Sequence, residues 1–257
     1  MTNQASPRPL SDLFTFIQRN RRWNEAFQRR EYMRHLSHCK TPRERLVALL
    51  DLTVNTQSQP KMGKLGPFWR SLSKLKPGQA ISREYFLAFL EGDAENDHSD
   101  LCKWYRLFNA LQACDGWGKK TAALFVRNVI YVHRGPKELH FWEAPTAVAV
   151  ANNARIFLPV DEVIITIFKE LGKTRNNGFD ELNDFLSAGY GPEQMLLWDD
   201  LWFWGYFTQM GKRGERTMGW NQDKFWCQPS APTGSEAALR LLGARFVKLV
   251  GEARDAK

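Results

Sequence analysis

The chain has 257 residues, which is long enough for one large domain or two smaller ones with a buried core. Hydrophobic residues make up 43% and charged residues 25%, which are values typical of a globular protein and not of a disordered one. Lys and Arg number 36 against 28 Asp and Glu, and the resulting net charge of +8 favours a polyanionic partner.

Cysteine and histidine usage argues against several kinds of site. The four cysteines are scattered without C-x-x-C spacing, and His35 and His38 have no ligand-type partner at the right spacing. We therefore expect no metal and no cofactor. No apolar run reaches the ~18 residues of a membrane span, and the N-terminus lacks a signal-peptide core. These features predict an intracellular protein, in the cytoplasm and nucleoid or in a nucleus, without membrane association.

The N-terminal region is basic and helical. Residues 1–45 carry ten basic and four acidic side chains, which is typical of either a solvated charged face or a phosphate-contacting surface. From Ser11 onward the apolar spacing predicts one or two basic helices. Thr41 then begins a new helix as its cap, with Pro42 at the first position and Glu44 at the third, which is the pattern of a capping box.

The middle of the chain contains further helical segments on both sides of a glycine turn. Phe68–Leu72 predicts a short helix, Ser82 caps a second helix and Ser99 opens a third. The turn covers Asp115–Gly118. The helix after it places its apolar residues on one face, and these are Ala122, Phe125, Val126, Val129 and Ile130.

The C-terminal half is also predicted to be helical. Gly135-Pro136 interrupts the pattern, and Thr146–Ala151 fits either a short helix or an apolar strand. Helical spacing returns after Pro159 and in three later segments, of which the last two flank a loop-like stretch. The segments are 179–188, 192–210 and 237–250, and the loop is 211–233. Because neither a repeat nor sustained β alternation occurs, we expect an all-α protein.

The turn at Gly116-Trp117-Gly118 is typical of a contact with the nucleic-acid backbone. Its glycines allow a tight turn and leave amide N–H groups accessible at a helix N-terminus, where the helix dipole favours phosphate. Lys119 and Thr121 follow directly in the sequence. This pattern predicts a helix-hairpin-helix element, with Gly116, Gly118, Lys119 and Thr121 as DNA contacts and Trp117 packed into the core.

The residues from Gly116 to Ala122, followed by Leu158-Pro159-Val160-Asp161, resemble the helix-hairpin-helix DNA glycosylase superfamily. That superfamily includes endonuclease III and the 8-oxoguanine glycosylases. The resemblance covers the middle of the chain, and the helix order extends it further. It implies that Lys120, the second residue after the last glycine of the turn, is the catalytic lysine of a bifunctional member. It also implies that Asp161 is the assisting aspartate.

The expected chemistry needs both residue types. Excision breaks the bond between C1′ and the base through a transition state with cationic sugar character. An amine attacks C1′ only when it is neutral, and desolvation, the helix N-terminus and Lys119 would each lower the pKa of Lys120. A carboxylate deprotonates the amine and stabilises the sugar cation. Two alternatives stay open: Lys120 as a phosphate-binding lysine of a non-catalytic hairpin, and Asp161 as a simple helix cap.

The sequence departs from the family pattern in three places. Asp115 stands where the family commonly has proline, and Glu162-Val163 follows the aspartate in place of Thr-His. Asp161 lies 41 positions after Lys120, a longer separation than usual, so residues 134–157 look like an insertion. Because the iron–sulfur cysteines of endonuclease III are also absent from the sequence, the chain resembles the 8-oxoguanine glycosylases more closely.

A glycosylase must also hold an extruded base by stacking and by hydrogen bonds to its edge. Asn55 matches the position where the superfamily has Asn or Gln near the gap left in the DNA, and a helix C-cap is its other interpretation. Asp200 and Trp204 share a helix face and are similar to the base-binding pair of the archaeal 8-oxoguanine glycosylases. Their alternative is a surface aspartate beside a core tryptophan. Trp69 is a further stacking candidate.

Taken together, these features predict two helical subdomains with a helix-hairpin-helix motif at the cleft between them. One subdomain is 41–154, and the other combines 1–40 with 155–257. We expect a monomeric DNA glycosylase with AP lyase activity that acts on double-stranded DNA containing an oxidised base, with 8-oxoguanine favoured. A glycosylase for another modified base, in host defence, and a non-catalytic helix-hairpin-helix protein are the alternatives.

Overall fold

The computed structural model describes residues 8–56, 60, 62–75, 81–91, 103–142, 149–172, 178–211, 215–231 and 234–255. The protein belongs to the all-α class, as the sequence predicts. Its helices are α1 (Arg8–Leu36), α2 (Pro42–Asn55), α3 (Met62–Leu72), α4 (Arg83–Glu91), α5 (Lys103–Gln112), α6 (Lys119–Arg134), α7 (Glu162–Glu170), α8 (Phe179–Ser187), α9 (Pro192–Trp198), α10 (Asp200–Phe207), α11 (Gln222–Trp226) and α12 (Glu236–Asp255). A short antiparallel hairpin, β1 (Gln209–Met210) and β2 (Thr217–Met218), pairs Gln209 with Met218.

The chain divides into two compact units. Unit 1 consists of Met1–Arg30 and Val160–Lys257, and unit 2 consists of Glu31–Pro159. The predicted subdomain boundaries, before residue 41 and after residue 154, fall at somewhat different positions, and the domain organisation of the chain stays a prediction. The helix α1 contributes residues to both units.

Local signals in the sequence set the starts of two helices of unit 2. Thr41 accepts a hydrogen bond from the Glu44 amide at 3.2 Å, and the Glu44 carboxylate accepts one from the Thr41 amide at 3.4 Å. The predicted capping box is therefore confirmed. The Ser82 hydroxyl likewise accepts from the Tyr85 amide at 3.0 Å at the start of α4. Ser99, the predicted start of the next helix, lies outside the described residues.

Unit 2 is built around the apolar face of α6, which α2 and α5 cover. All five residues predicted for that face are buried. A buried polar network ties α1, α2 and α6 together: Tyr32 donates to Asn128 Oδ1 at 2.9 Å, and Asn128 Nδ2 donates to Thr53 Oγ1 at 3.1 Å. Burial raises the pKa of the Tyr32 hydroxyl to about 12, so the tyrosine is a permanent donor at neutral pH.

The described part of the segment predicted to be an insertion packs onto unit 2. A 3₁₀ helix, Lys137–Leu139, leads into three aromatic rings, of which Phe141 and Trp142 are buried. Arg45 of α2 donates to the His140 carbonyl at 2.9 Å. His133 of α6 stacks on His140 with ring centroids 4.7 Å apart. Residues 146–148 of the ambiguous segment Thr146–Ala151 lie outside the described residues.

Unit 1 has an aromatic core. The helix α10 carries apolar side chains on all its faces, so it is buried between α7, α11 and α12 instead of lying on the surface. The rings that pack against it come from α1 and α12, and they include Phe16, Phe27 and Phe246.

Two predictions for unit 1 are wrong in detail. The segment 192–210 is not one helix, because α9 ends at Trp198 and the Trp202 amide bonds to the Asp199 carbonyl at 2.9 Å, three residues back. After Phe207 the chain leaves the helical conformation and Gln209 pairs with β2. The stretch predicted as a loop, 211–233, contains β2 and α11. The spacing of the aromatic residues in 192–210 does not reveal either break, since most of these side chains are buried and the segment has no polar face to set the period.

Within the described residues, no helix is long and apolar enough to cross a membrane.

Candidate functional site

The glycine turn of unit 2 joins α5 to α6 and has a conformation that requires glycine at one position. Gly116 has a φ of +86°, which lies in the left-handed region. A Cβ at this position would lie 2.8 Å from the Leu65 side chain, which is fully buried. Gly118 has an ordinary extended conformation with φ −95°, and a Cβ there would meet no described atom within 4 Å. The turn is therefore tight on its inner side and open at Gly118.

Trp117 anchors the turn in the core of unit 2, as the sequence predicts. It is 4% exposed and packs edge-on against Phe68 of α3 and Phe125 of α6, with ring centroids 5.2 Å and 6.1 Å away. Its amide donates to the Cys114 carbonyl at 3.1 Å. The indole thus fixes the point at which the chain enters α6.

The first turn of α6 carries the residues predicted to contact DNA. Gly118 is the N-cap residue, and as a glycine it provides no side-chain acceptor for the first amides of the helix. Lys119 and Lys120 are half-buried. Thr121 is different, because its side chain is buried and packs in unit 2, so only its backbone amide can contribute to phosphate binding. The helix start therefore combines two lysines with a positive helix end.

Lys120 lies beside the C-terminal end of α2. Its Nζ is 3.4 Å from both the carbonyl oxygen and the hydroxyl of Thr56. The buried bond between Thr53 and Asn128 joins the same two helices two turns further along α6, so it positions Lys120 against Thr56. Asn55, the residue next to Thr56, is exposed and donates to Asp51 Oδ2 at 3.0 Å. The structure thus brings two of the predicted residues, Lys120 and Asn55, to the same end of α2.

Asp161 lies in unit 1 and is the N-cap residue of α7. Its Oδ1 accepts from the Val163 amide at 2.9 Å and from the Ile164 amide at 3.1 Å. The alternative interpretation as a helix cap is therefore correct, and it is compatible with a chemical role because a cap fixes the carboxylate in place. Lys120 belongs to unit 2, so the two candidate catalytic residues are each described within their own unit.

The predicted base-binding pair lies inside unit 1. Trp204 is 1% exposed, with its ring centroid 5.1 Å from both Phe16 and Phe203. Asp200 is also buried, and its Oδ1 accepts from Asn24 Nδ2 at 2.6 Å. Trp204 is thus a core tryptophan, as the alternative interpretation of the pair states. Asp200 is not the surface aspartate of that interpretation, because it is buried as well. This placement argues against base stacking on Trp204, because its ring is already packed among aromatic side chains.

Trp69 remains a candidate for stacking. It is half-buried on α3 and packs edge-on against Phe68 at 5.5 Å, so part of its ring is accessible. Phe68 in turn contacts Trp117, which places Trp69 close in the packing to the glycine turn. A stacking residue here would belong to the same unit as Lys120.

One cluster in unit 1 was not found from the sequence. Gln209, which is fully buried, accepts hydrogen bonds from Lys224 through its carbonyl oxygen and from Arg216 through its side-chain oxygen, at 2.9 Å and 3.0 Å. Burial and, secondly, Arg216 lower the pKa of the Lys224 amine, and the Asp161 carboxylate opposes this shift, so Asp161 acts on Lys224. Both cations come from 211–233, which has no helical or strand periodicity, and so no sequence signal links them to Asp161.

Comparisons with family models, with curated proteins and with solved structures found no match to this chain. Among the described residues, no group of His, Cys, Asp and Glu is arranged to hold a metal ion. The interpretation of the site therefore rests on its residues and their geometry.

Proposed function

We propose that this protein is a DNA glycosylase with AP lyase activity, which excises an oxidised base from double-stranded DNA in base excision repair. The observation that carries the proposal is the position of Lys120. It is in the first turn of α6, immediately after an open glycine turn anchored by a buried tryptophan. A turn of this kind binds a phosphate through helix amides, and the adjacent amine would then lie close to the sugar–phosphate backbone of the bound strand.

In the proposed reaction the Lys120 Nζ attacks C1′ of the extruded nucleotide. The Nζ–C1′ bond forms as the bond from C1′ to the base breaks, and the base leaves with the electron pair and takes up a proton. Opening of the sugar ring gives a Schiff base between Nζ and C1′. Loss of a proton from C2′ then expels the 3′ phosphate, which cuts the strand. The amine must be neutral before it attacks, so the reaction needs a proton acceptor.

Asp161 is proposed as that acceptor and as the stabiliser of the cationic sugar. Its hydrogen bonds at the start of α7 restrict the rotation of the carboxylate, since Oδ1 accepts from two amides. A carboxylate that is already fixed loses less entropy when it is used in the transition state. The buried neighbours Val163 and Ile164 keep the start of this helix rigid.

Borohydride trapping on abasic duplex DNA tests the role of Lys120. The wild-type chain should form a covalent complex, and Lys120→Gln should abolish it. Lys119→Gln is the matched control, because it removes the same charge from the same helix turn and should still trap. If Lys120→Gln traps while Lys119→Gln does not, the nucleophile has been assigned to the wrong lysine.

Two variants of Asp161 separate its cap from its chemistry. Asparagine is as good an N-cap residue as aspartate, so Asp161→Asn should keep the stability of α7 and lose the carboxylate. Asp161→Ala should lose both, and the cap alone contributes about 1 kcal/mol. The proposal expects both variants to lose base excision to a similar extent. Normal excision by Asp161→Asn would reduce Asp161 to a structural residue.

The choice of base rests on the resemblance of the sequence to the 8-oxoguanine glycosylases. Single-turnover excision from a panel of duplexes carrying 8-oxoguanine, an oxidised pyrimidine or another modified base would identify the substrate. Release of 8-oxoguanine at the highest rate is the expected result. A preference for a modified base that is not a lesion would favour host defence over repair.

A second candidate function is DNA binding without lyase chemistry. The observation in its favour is the contact of the Lys120 ammonium group with the carbonyl and hydroxyl of Thr56, which a phosphate-binding lysine would also make. Binding of duplex DNA by a wild-type chain that traps on no abasic or lesion-containing duplex would support this candidate.

A further inference from the structure

A pair of cations is held beside Asp161 in unit 1 by hydrogen bonds to a single buried residue. Lys224 of α11 donates from Nζ to the Gln209 carbonyl at 2.9 Å, and Arg216 donates to Gln209 Oε1 at 3.0 Å. Gln209 itself is fixed, since its Nε2 donates to the Val163 carbonyl of α7 at 2.9 Å. The side chains of Lys224 and Arg216 are therefore anchored to the helix that Asp161 caps.

Both cations are partly accessible despite these bonds. Lys224 and Arg216 are half-buried, and the Lys224 ammonium lies 5.0 Å from the ring centroid of Tyr206, which is also half-buried. The acceptors that hold the two cations are neutral amide oxygens. Such acceptors orient a cation without neutralising it, so the positive charge remains available to a ligand.

Charges of both signs act on the Lys224 amine, because Arg216 is a like charge and the Asp161 carboxylate an opposite one. Burial and, secondly, Arg216 lower the pKa of the Lys224 amine, while Asp161 opposes the shift. Lys224 is therefore in an environment that disfavours its charge, and a bound anion would relieve this.

We propose that Lys224 and Arg216 form a binding site for a DNA phosphodiester beside Asp161. The inference rests on the proposed function in one respect, which is that DNA is the partner. It assigns to unit 1 a backbone contact in addition to the one expected at the glycine turn of unit 2. A phosphate held here would fix the DNA backbone next to the carboxylate proposed to act on the sugar.

The salt dependence of DNA affinity tests this site directly. Each phosphate contact adds about 0.9 to the magnitude of the slope of log K against log salt concentration. Lys224→Gln and Arg216→Gln remove the charge but keep an amide that can donate to Gln209, so the fold is preserved. We expect each variant to reduce the slope by about 0.9 and the double variant by about 1.8. The duplex should carry a tetrahydrofuran abasic analogue, which cannot form a Schiff base.

Two controls separate a specific contact from a general loss of charge. Lys248 lies on α12, is 74% exposed on its side chain and pairs with Glu252, so Lys248→Gln removes the same charge elsewhere in unit 1. This variant should leave the slope unchanged. Lys224→Arg keeps the charge and should restore most of the slope. Equal slopes for wild type, Lys224→Gln and Arg216→Gln would overturn the inference, as would an equal decrease in Lys248→Gln.

A titration with inorganic phosphate at constant ionic strength distinguishes DNA from a small phosphate ligand. If Lys224→Gln weakens the binding of inorganic phosphate but leaves the salt-dependence slope of DNA affinity unchanged, the assignment to DNA is wrong. The enzyme proposal fails separately: a chain with the expected slopes that does not trap with borohydride has the phosphate site but not the lyase chemistry. A chain that traps with borohydride, but whose salt-dependence slope is the same in the Lys224 and Arg216 variants, has the lyase chemistry but not the phosphate site.

Discussion

The substitution Gly116→Ala tests whether the glycine turn has the tight conformation that the proposed DNA contact needs. At a φ of +86° an alanine is in the left-handed region, which costs about 1–2 kcal/mol. The new methyl group would also lie 2.8 Å from Cγ and Cδ2 of Leu65 and 3.2 Å from its backbone nitrogen. Leu65 is fully buried and cannot move into solvent, so overpacking adds about 1–3 kcal/mol.

The net effect is smaller than the sum of these two costs. Replacing glycine by alanine also restricts the unfolded chain, which stabilises the folded state by about 0.4–1 kcal/mol. We therefore expect Gly116→Ala to lower the free energy of unfolding by about 3 kcal/mol. The substitution should mainly destabilise unit 2, because Trp117 and Phe125 of that unit pack around the turn.

Gly118→Ala is the matched control two residues away. Its φ of −95° suits any residue, and a Cβ there would meet no described atom within 4 Å. Alanine is a poorer N-cap than glycine, but the gain from restricting the unfolded chain offsets this, so the change should stay within about 0.5 kcal/mol. Urea unfolding followed by tryptophan fluorescence measures both variants. Equal stabilities of Gly116→Ala and Gly118→Ala would refute the reasoning about the turn.

Three further predictions concern packing, hydrogen bonding and protonation. Gly205→Ala should destabilise unit 1 by about 1–2 kcal/mol in urea unfolding, despite its better helix propensity, because the methyl group would lie within 2.7 Å of two side chains of α7. Tyr32→Phe should cost about 1 kcal/mol in the same assay, since Asn128 loses one donor; an unchanged stability would contradict the network. Burial lowers the pKa of His133 to about 3, with a smaller effect of His140, so the neutral ring is the folded form. The contribution of His133 to stability should therefore be full above pH 6.5 and fall as the pH drops from 6.5 towards 3, by up to about 1.4 kcal/mol per pH unit. His133→Phe should flatten this dependence when the free energy of unfolding is measured across the same pH range.

Features encoded by neighbouring residues were predictable from the sequence. The capping box at Thr41 depends on the residue three positions later, and the apolar face of α6 depends on a helical period. The core position of Trp117 follows from its place between two helices that must bury their apolar faces. In each case the interacting groups lie within about one or two helix turns, so the spacing in the sequence carries the information.

Features that depend on long-range packing were not predictable. Trp204 and Asp200 share a helix face, as the spacing indicates, but the burial of that face comes from Phe16 and Asn24, which are far away in the sequence. The break within 192–210 was hidden because α10 carries apolar side chains on all its faces and so shows no helical period of its own. The cluster of Lys224, Arg216 and Gln209 depends on a hairpin whose strands have only two residues each, which is too short to show alternation.

The segment from Gly116 to Ala122 contains residues that the fold requires and one, Lys120, that we expect it not to require. Gly116 provides the left-handed turn, Trp117 and Thr121 are buried, and Ala122 belongs to the core face of α6. Lys120 is half-buried and its contacts with the exposed Thr56 are long, at 3.4 Å, so Lys120→Gln should change stability by no more than about 0.5 kcal/mol. A lysine at this position therefore needs an explanation other than stability. If Lys120→Gln unfolds like the wild type and no longer traps with borohydride, that explanation is chemical, and if it destabilises the chain as much as Gly116→Ala does, the lysine is part of the fold.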